Sequence, residues 1–423
     1  MGSLSAASDS LESGRKLDLA DKWINSKSVK FLLRAGRIAE AEEVVSLFTK
    51  HEGDSRMYLM DMQAMWFEVE AGNACRRSGN VALAMKLFKG VQKHFDDIQD
   101  DELDFHMYCL RKGTLRAYVS VLRLEDTIRS HPYFVTAASG AVKCYLQMCD
   151  NSVMFIDPST IEPDYSQMTG AEKKKAKAKA RKLQAKKLEE ETAQLALTEA
   201  NKKDSSSKKK DIPPDEDPLG EKAFQIELGS PLEFAHILLQ KVLKVTPPSI
   251  RLCADIFDVQ VRRGKHLQAI KAMRTACHLS AQGYEHPLVF PRLVGLAHMI
   301  LKSSSVLWSC WKPLSDNEAV LSVLKSIAEE CLGVECDTNA LVKAYAKDHL
   351  QGPSIAYRMG ACMALLVVDP ASRPSCFITV VENLPSDECF VRFQELLEFA
   401  QAYGFPQEQL KELAVAMERQ PIQ

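Results

Sequence analysis

Residues 60–97 read MDMQAMWFEVEAGNACRRSGNVALAMKLFKGVQKHFDD, and this stretch decides the fold. Apolar side chains recur about every 3.6 residues over residues 62–75 and again over residues 81–95, which predicts two amphipathic helices. Between them, Gly79 follows two arginines and ends the first helix, and Asn80 can cap the second. The stretch is therefore predicted to form a helical hairpin.

Small residues in this hairpin are typical of a tetratricopeptide unit. Gly72 and Ala84 lie where the two helices must approach closely, and Phe88 fills the next layer. A second helix pair is predicted directly before the first, over residues 17–51. One such pair cannot bury its apolar face alone, so the chain is expected to be a stack of helix pairs.

The rest of the chain continues this pattern, with one interruption. A single long helix is predicted over residues 103–122, and no convincing alternating strand pattern occurs before residue 150. The fold class is therefore predicted to be all-α, a tetratricopeptide-like superhelix of helical hairpins with a charged insert. The expected organisation is a disordered N-terminus (1–15), helical repeats (16–150), a linker with a Lys-rich segment (151–229) and a C-terminal helical repeat block (230–423).

Composition favours a soluble protein of a reducing compartment. The net charge is −2, and hydrophobic residues make up 46% of the 423 residues. The twelve cysteines form no Cys-x-x-Cys motif, so free thiols are expected rather than a metal site. No apolar run approaches the roughly 20 residues of a membrane-spanning helix, and the N-terminus lacks the apolar region of a signal peptide. We therefore expect no membrane contact.

The insert carries a local excess of positive charge. Residues 172–210 contain 14 Lys and Arg against six Asp and Glu. A run of this kind is usually a solvated spacer, and the alternative is an electrostatic arm for the phosphate backbone of RNA. In that alternative the nucleic-acid contacts are Lys173, Lys174, Lys175, Lys177, Lys179, Arg181 and Lys182. Aromatic residues are not interleaved with them, so base stacking is not predicted.

A second basic feature lies on the helix predicted after residue 21. Lys27, Lys30, Arg34 and Arg37 recur every three to four residues, which places them along one helix face. The ordinary interpretation is a solvated face. The functional interpretation is a surface for a multiply charged anion or an acidic partner.

Motifs of catalysis are absent apart from one loose match. The sequence holds no P-loop, no Gly-x-Gly-x-x-Gly, no His-Glu-x-x-His and no Gly-x-Ser-x-Gly. Arg292, Gly295 and Ala297 fit the Arg-x-x-Gly-x-Ala pattern by which GNAT-type acetyltransferases hold the pyrophosphate of coenzyme A. That site needs a strand and a loop before a helix start, whereas this match sits inside a predicted helix. No catalytic residue is therefore predicted.

Long stretches of the chain resemble a known family. They include residues 17–43, residues 62–88 (MQAMWFEVEAGNACRRSGNVALAMKLF), residues 100–134 and the Lys-rich insert. The sequence is similar, from about residue 17 to residue 405, to the auxiliary subunit of the N-terminal acetyltransferase A complex. The resemblance implies a non-catalytic tetratricopeptide scaffold that wraps a GNAT-fold catalytic subunit, anchors it at the ribosome and supports cotranslational N-terminal acetylation.

The resemblance also implies a ligand and a location. Family members bind inositol hexakisphosphate between the two subunits, and the matching helix here carries Lys27, Lys30 and Arg34. The implied location is cytoplasmic and ribosome-associated, with the nucleus as a further compartment, and a small regulatory partner on the C-terminal block is left open. Family members are about twice as long, so the first helix pair is expected to lack a stacking neighbour.

Two alternative functions remain at this point. One is a generic helical-repeat adaptor with an RNA-binding basic arm and no acetyltransferase partner. The other is an acetyltransferase in its own right, which depends only on the match from Arg292 to Ala297.

Overall fold

The structure is a computed structural model, and the part of the chain that it describes is all-helical. The described residues are 4–49, 54–100, 102–151, 217–302, 311–314, 317–332, 337–369 and the three positions 395, 396 and 398. Before the insert, the helices are α1 (Leu4–Arg15), α2 (Lys22–Arg34), α3 (Ile38–Ser46), α4 (Ser55–Asp61), α5 (Met65–Arg77), α6 (Val81–Asp100), α7 (Glu102–Lys112), α8 (Leu115–Glu125) and α9 (Pro132–Asp150). The prediction of an all-α, tetratricopeptide-like fold is confirmed.

The helices after the insert complete the described set. They are α10 (Glu221–Leu228), α11 (Pro231–Leu243), α12 (Ile250–Arg263), α13 (His266–Leu279), α14 (Phe290–Lys302), α15 (Glu318–Leu332), α16 (Thr338–His349) and α17 (Ile355–Val368). Predicted helices beyond residue 370 lie outside the described residues, except that 395, 396 and 398 are helical. The insert itself, residues 152–216, also lies outside them.

The hairpin of α5 and α6 forms as the sequence predicts. Gly79 adopts φ 86° between the helices, a left-handed conformation that glycine reaches without strain. The side-chain oxygen of Asn80 accepts a hydrogen bond from the backbone N–H of Leu83 at 3.2 Å and so caps α6. Phe88 is fully buried, and its ring lies against Gly72, where a Cβ would come within 2.8 Å of the ring. The close approach of α5 and α6 therefore requires glycine at position 72.

The N-terminal residues differ from the prediction of disorder, because residues 4–15 form α1. Ser8 on α1 and Ser28 on α2 are both fully buried, and such small side chains let two helices pack closely. The hydroxyl of Ser28 donates to a carboxylate oxygen of Glu12 at 3.2 Å. The expectation that the first predicted helix pair lacks a neighbour is therefore wrong, since α1 packs against α2. This contact was not predicted from the sequence, because the side chains that α1 buries, Ser8 and Arg15, are polar.

The predicted long helix over residues 103–122 is two helices instead. α7 ends at Lys112, and α8 begins at Leu115. Gly113 between them adopts φ 66°, a conformation that interrupts a right-handed helix. The residues on both sides of Gly113 are helical, and the two helices contact each other, so the chain turns at this glycine.

Residues on the two sides of the insert pack into one compact unit. α9 contacts α5 and α6 before the insert and α11 and α12 after it. Arg262 of α12 donates to both carboxylate oxygens of Asp150 at the end of α9, each at 2.8 Å. The hydroxyl of Ser139 on α9 donates to buried Asp255 on α12 at 2.7 Å. These polar contacts fix the position of α9 against the later helices.

The end of the predicted linker also differs from expectation, because residues 221–228 form α10. The side chain of Phe224 on this helix is buried, and buried Glu227 accepts a hydrogen bond from the hydroxyl of Tyr145 on α9 at 3.2 Å. The same carboxylate pairs with the ammonium of Lys89 on α6. Tertiary partners on α6 and α9 thus order a short segment that has little apolar periodicity of its own.

Candidate anion-binding surface

The basic surface is one face of α2 and consists of Lys27, Lys30 and Arg34. Asp21 caps the start of the helix, and its carboxylate accepts a hydrogen bond from the backbone N–H of Trp23 at 2.7 Å. The opposite face of the helix is buried in the core through Val29, Leu32 and Leu33. Burial of that face fixes the rotation of α2, so the basic residues face outward.

Two of the three cations contact the same carboxylate. Arg34 donates through Nη2 to Oε1 of Glu70 at 2.6 Å and through Nε to Oε2 at 3.1 Å. The ammonium nitrogen of Lys30 lies 3.2 Å from Oε1 of the same residue. Side-chain exposures of 33% for Lys30, 27% for Arg34 and 17% for Glu70 leave the cluster open to solvent on one side. The predicted proximity of Lys30 and Arg34 is therefore real, and Glu70 is an additional member.

Lys27 lies one turn before Lys30 at the solvent-exposed end of the surface. Its ammonium nitrogen is 5.5 Å from the centroid of the Trp23 ring, a cation–π geometry. Trp23 itself is 67% exposed. An exposed cation–π contact is worth only about 0.5–1 kcal/mol, so a strong anion can recruit this ammonium group.

Arg77 adds a fourth cation from the end of α5. Its Nη2 donates to the carbonyl oxygen of Leu33 at 3.1 Å and so satisfies the C-terminal end of α2. Burial lowers the pKa of Arg77, and the nearby charge of Arg34 acts in the same direction. The charge of Glu398, and after it that of Glu70, acts in the opposite direction.

Arg37 does not belong to this surface. It follows α2, and its guanidinium pairs with Asp9 of α1 at 2.6 Å and with Glu40 of α3. The hydrogen bonds that the guanidinium donates, to Glu40 first and to Asp9 second, raise the pKa of Arg37. The periodic spacing predicted one face for four residues, but the helix ends at Arg34 and the last of them turns away.

Glu70 and Arg77 were not identified as site residues from the sequence. They lie 36 and 43 residues after Arg34, on a different helix. Arg77 carried a signal only as one of two basic residues that end a helix. Both join the site because α5 stacks on α2, which a local pattern does not encode.

Comparison with known proteins decides the family. The family described as "N-terminal acetyltransferase A, auxiliary subunit" matches residues 1–276, more than half of the chain. The chain belongs to this family.

Individual relatives carry the same description. An Arabidopsis thaliana protein named "N-terminal acetyltransferase A complex auxiliary subunit NAA15" is 38% identical over 281 residues, covering 66% of this chain and 30% of the relative. A human protein named "N-alpha-acetyltransferase 16, NatA auxiliary subunit" is 47% identical over 152 residues, covering 36% of this chain and 18% of the relative. The matches therefore span less than a third of these relatives.

One solved structure has a similar fold. It is named "Structure of Naa15/Naa10 bound to HypK-THB" and aligns with 78% of this chain and 38% of its own, at a TM-score of 0.54 and 28% identity. The auxiliary-subunit names of the relatives agree with the prediction of a non-catalytic chain.

The acetyltransferase-like match in this auxiliary-subunit chain is a packing site. Arg292 donates to both carboxylate oxygens of Asp258, at 2.9 and 2.6 Å, and to the carbonyl of Leu288 at 2.8 Å. Gly295 lies inside α14, where a Cβ would come within 2.9 Å of the Trp311 ring. Its backbone amide is in the interior of a helix rather than at its start, so it is not available to a phosphate.

The second predicted set of site residues lies in the Lys-rich insert. Lys173, Lys174, Lys175, Lys177, Lys179, Arg181 and Lys182 lie outside the described residues. Within the ranges that the structure does describe, no three His, Cys, Asp or Glu side chains are grouped as metal ligands would be. In the same ranges no helix combines the length and apolar character needed to cross a membrane.

Proposed function

We propose that this chain is a non-catalytic scaffold in an N-terminal acetyltransferase A complex, where it binds and positions a GNAT-fold catalytic subunit for cotranslational acetylation. Family membership and the stack of helix pairs support this proposal. The similar solved structure contains Naa15 together with Naa10, by its name two components of one assembly. The family match disfavours a generic repeat adaptor as the alternative.

The basic surface is the part of the chain that we assign to an anion. The observation that carries this assignment is the shared contact of Lys30 and Arg34, one helical turn apart, with a single carboxylate. Such a pair accepts a multiply charged phosphate compound, because guanidinium and ammonium groups form charge-assisted hydrogen bonds with phosphate oxygens. Inositol hexakisphosphate, bound at the boundary with the catalytic subunit, is the ligand that we propose.

Three further assignments belong to the same proposal. The Lys-rich insert, with seven cations between residues 173 and 182, contacts ribosomal RNA through its phosphate backbone. The protein acts in the cytoplasm on ribosomes, and the nucleus is a further compartment. A small regulatory partner occupies the C-terminal block, in keeping with the similar structure, in which Naa15/Naa10 is bound to HypK-THB.

The scaffold assignment is tested by co-purification. The tagged chain is expressed with a GNAT-fold catalytic subunit of the same organism, and acetyl transfer to a peptide that begins with Ser is measured for the chain alone, the subunit alone and the pair. We expect a stable complex and no transfer by the chain alone. Transfer by the chain alone, or no complex with a version that includes the repeats of its longer relatives, would refute the proposal.

The anion assignment has a charge-matched control. The triple variant K27E/K30E/R34E is expected to lose binding of inositol hexakisphosphate in isothermal titration calorimetry. The control variant K241E/K244E/K271E changes the net charge equally at exposed lysines of α11, α13 and the residue after α11. Binding that survives in the first variant, or disappears equally in both, would contradict a specific site on α2.

A further inference from the structure

Glu70 lies against two of the three cations of the basic surface. Oε1 of Glu70 accepts from Nη2 of Arg34 at 2.6 Å and lies 3.2 Å from the ammonium nitrogen of Lys30. Oε2 accepts from Nε of Arg34 at 3.1 Å. Both carboxylate oxygens are thus engaged by the two cations that the proposed phosphate ligand needs.

The charges around Glu70 do not cancel. Lys30 and Arg34 both contact this single carboxylate. Two cations therefore share one carboxylate, which leaves an excess of one positive charge at a partly exposed position. An excess of this kind attracts anions of higher charge than the carboxylate already present.

We propose that Glu70 is the resident anion of the basic surface, and that a polyphosphate binds by displacing its carboxylate from Lys30 and Arg34. This inference rests on the proposed polyphosphate site. A phosphate group has three acceptor oxygens and about −1.5 to −2 charges, whereas a carboxylate has two oxygens and one charge, so exchange gains charge-assisted hydrogen bonds. The displaced Glu70 remains beside the site and repels the incoming anion.

Displacement makes Glu70 a specificity-determining residue. A ligand with a single phosphate gains too little from the two cations to overcome the loss of their existing contacts and the repulsion by a carboxylate. A ligand with several phosphates contacts Lys27 as well, which lies one turn away on the same face, beside the exposed Trp23 ring. The surface therefore discriminates in favour of highly phosphorylated compounds and against single phosphates.

The test compares Glu70→Gln with the wild-type chain. Gln keeps the length of the side chain and removes its charge, so the variant no longer competes as an anion. Dissociation constants of inositol hexakisphosphate and of inorganic phosphate are measured by calorimetry at one fixed salt concentration. We expect inositol hexakisphosphate to bind the variant on the order of tenfold more tightly, and inorganic phosphate to gain measurable binding.

The matched control is Glu233→Gln. Glu233 of α11 forms a similar bidentate pair with Arg263 of α12, at 3.0 and 2.8 Å, but away from α2 and α5. The control should leave both dissociation constants unchanged. A second variant, Glu70→Asp, keeps the charge while withdrawing it by one methylene, so its affinity should lie between those of wild type and Glu70→Gln.

The outcomes separate this inference from the proposed site. If wild type binds inositol hexakisphosphate and Glu70→Gln binds it equally or more weakly, Glu70 only holds the cations in place and the inference is wrong. If neither protein binds it, the proposed site and the inference both fail. If only Glu70→Gln binds it, the polyphosphate does not displace Glu70 in the wild-type chain, and both the proposed site and the inference fail. Thermal unfolding of each variant shows whether it is folded, and Glu70→Asp decides the question if Glu70→Gln is not.

Discussion

The ring of Phe88 is held between Gly72 on one side and Gly140 on the other. A Cβ on Gly72 would lie 2.8 Å from Cε1 of the ring, and a Cβ on Gly140 would lie 2.5 Å from Cζ. Phe88 has no exposed surface, so the ring has no free space into which to move. The helices α5, α6 and α9 thus pack together at the Phe88 ring, and glycine at positions 72 and 140 leaves the space that the ring fills.

Gly72→Ala is therefore expected to destabilise the protein although alanine favours helix. Helix propensity gains about 1 kcal/mol, whereas overpacking of a filled core costs roughly 1–3 kcal/mol. We expect a net fall in the free energy of unfolding, measured by urea denaturation. Gly229→Ala is the control, because its Cβ would meet only a carbonyl oxygen at 3.8 Å, and it should be neutral or slightly stabilising. Equal effects at the two positions would contradict the close approach at Phe88.

The buried pair of Glu68 and His94 predicts a pH dependence of stability. Nε2 of His94 lies 2.7 Å from Oε1 of Glu68, and Glu68 is fully buried. Burial raises the pKa of Glu68 above its ordinary value of 4.5, and the hydrogen bond and charge of His94 oppose that shift less strongly. A raised pKa in the folded state means that this group favours folding at pH below about 4.5 and that the benefit is lost as the pH rises.

Glu68→Gln removes that dependence. The difference in unfolding free energy between variant and wild type should shift in favour of the variant as the pH increases from 4.5 to neutral. Glu233→Gln serves as a control of opposite sign, because a hydrogen bond from Arg263 lowers the pKa of Glu233. If the free energies of unfolding of Glu68→Gln and wild type change in parallel with pH, the Glu68 carboxyl does not cause the pH dependence.

The ion pair of Arg292 and Asp258 should contribute more than an exposed pair. Its two side chains are mostly buried, so Arg292→Gln leaves a buried carboxylate without its charge partner. We expect a loss of about 3 kcal/mol in unfolding free energy. Arg274→Gln removes an exposed pair with Glu330 and should cost less than about 1 kcal/mol. The same urea titration measures both, and similar losses would indicate that burial does not decide the contribution.

Thiol alkylation should distinguish the cysteines by environment. Burial raises the pKa of the Cys144 thiol to about 12, so this residue carries almost no thiolate at neutral pH. A hydrogen bond from Cys277 lowers the pKa of the half-buried Cys331. Iodoacetamide at a pH of about 7.5, followed by peptide mass spectrometry, is expected to modify Cys331 well before Cys144. Modification of Cys144 at a similar rate would mean that α9 opens readily to solvent.

The resemblance recognised in the sequence leads to the same family that the comparisons show, and the local signals for helix ends are confirmed in the central hairpin. Gly79 and Asn80 end α5 and begin α6 as predicted. Predictions differ from the structure where a local signal is weak or has two meanings. The apolar pattern continues on both sides of Gly113, so one long helix was predicted where the structure has two. Helices α1 and α10 lack an apolar stripe, so their sequences were interpreted as a disordered N-terminus and a linker. Contacts of α1 with α2, and of α10 with α6 and α9, order these two helices. A local sequence pattern does not predict such contacts between distant residues.

The sequence by itself determined that the chain is helical, where the central hairpin turns, and that Lys27, Lys30 and Arg34 share one face, because helical period and turn chemistry are local properties. Only the tertiary structure decided what that face contains. Stacking of α5 on α2 brings Glu70 against Lys30 and Arg34, and Arg77 against the end of α2. Residues 36 or more positions apart meet there because helix packing, not sequence spacing, sets their distance.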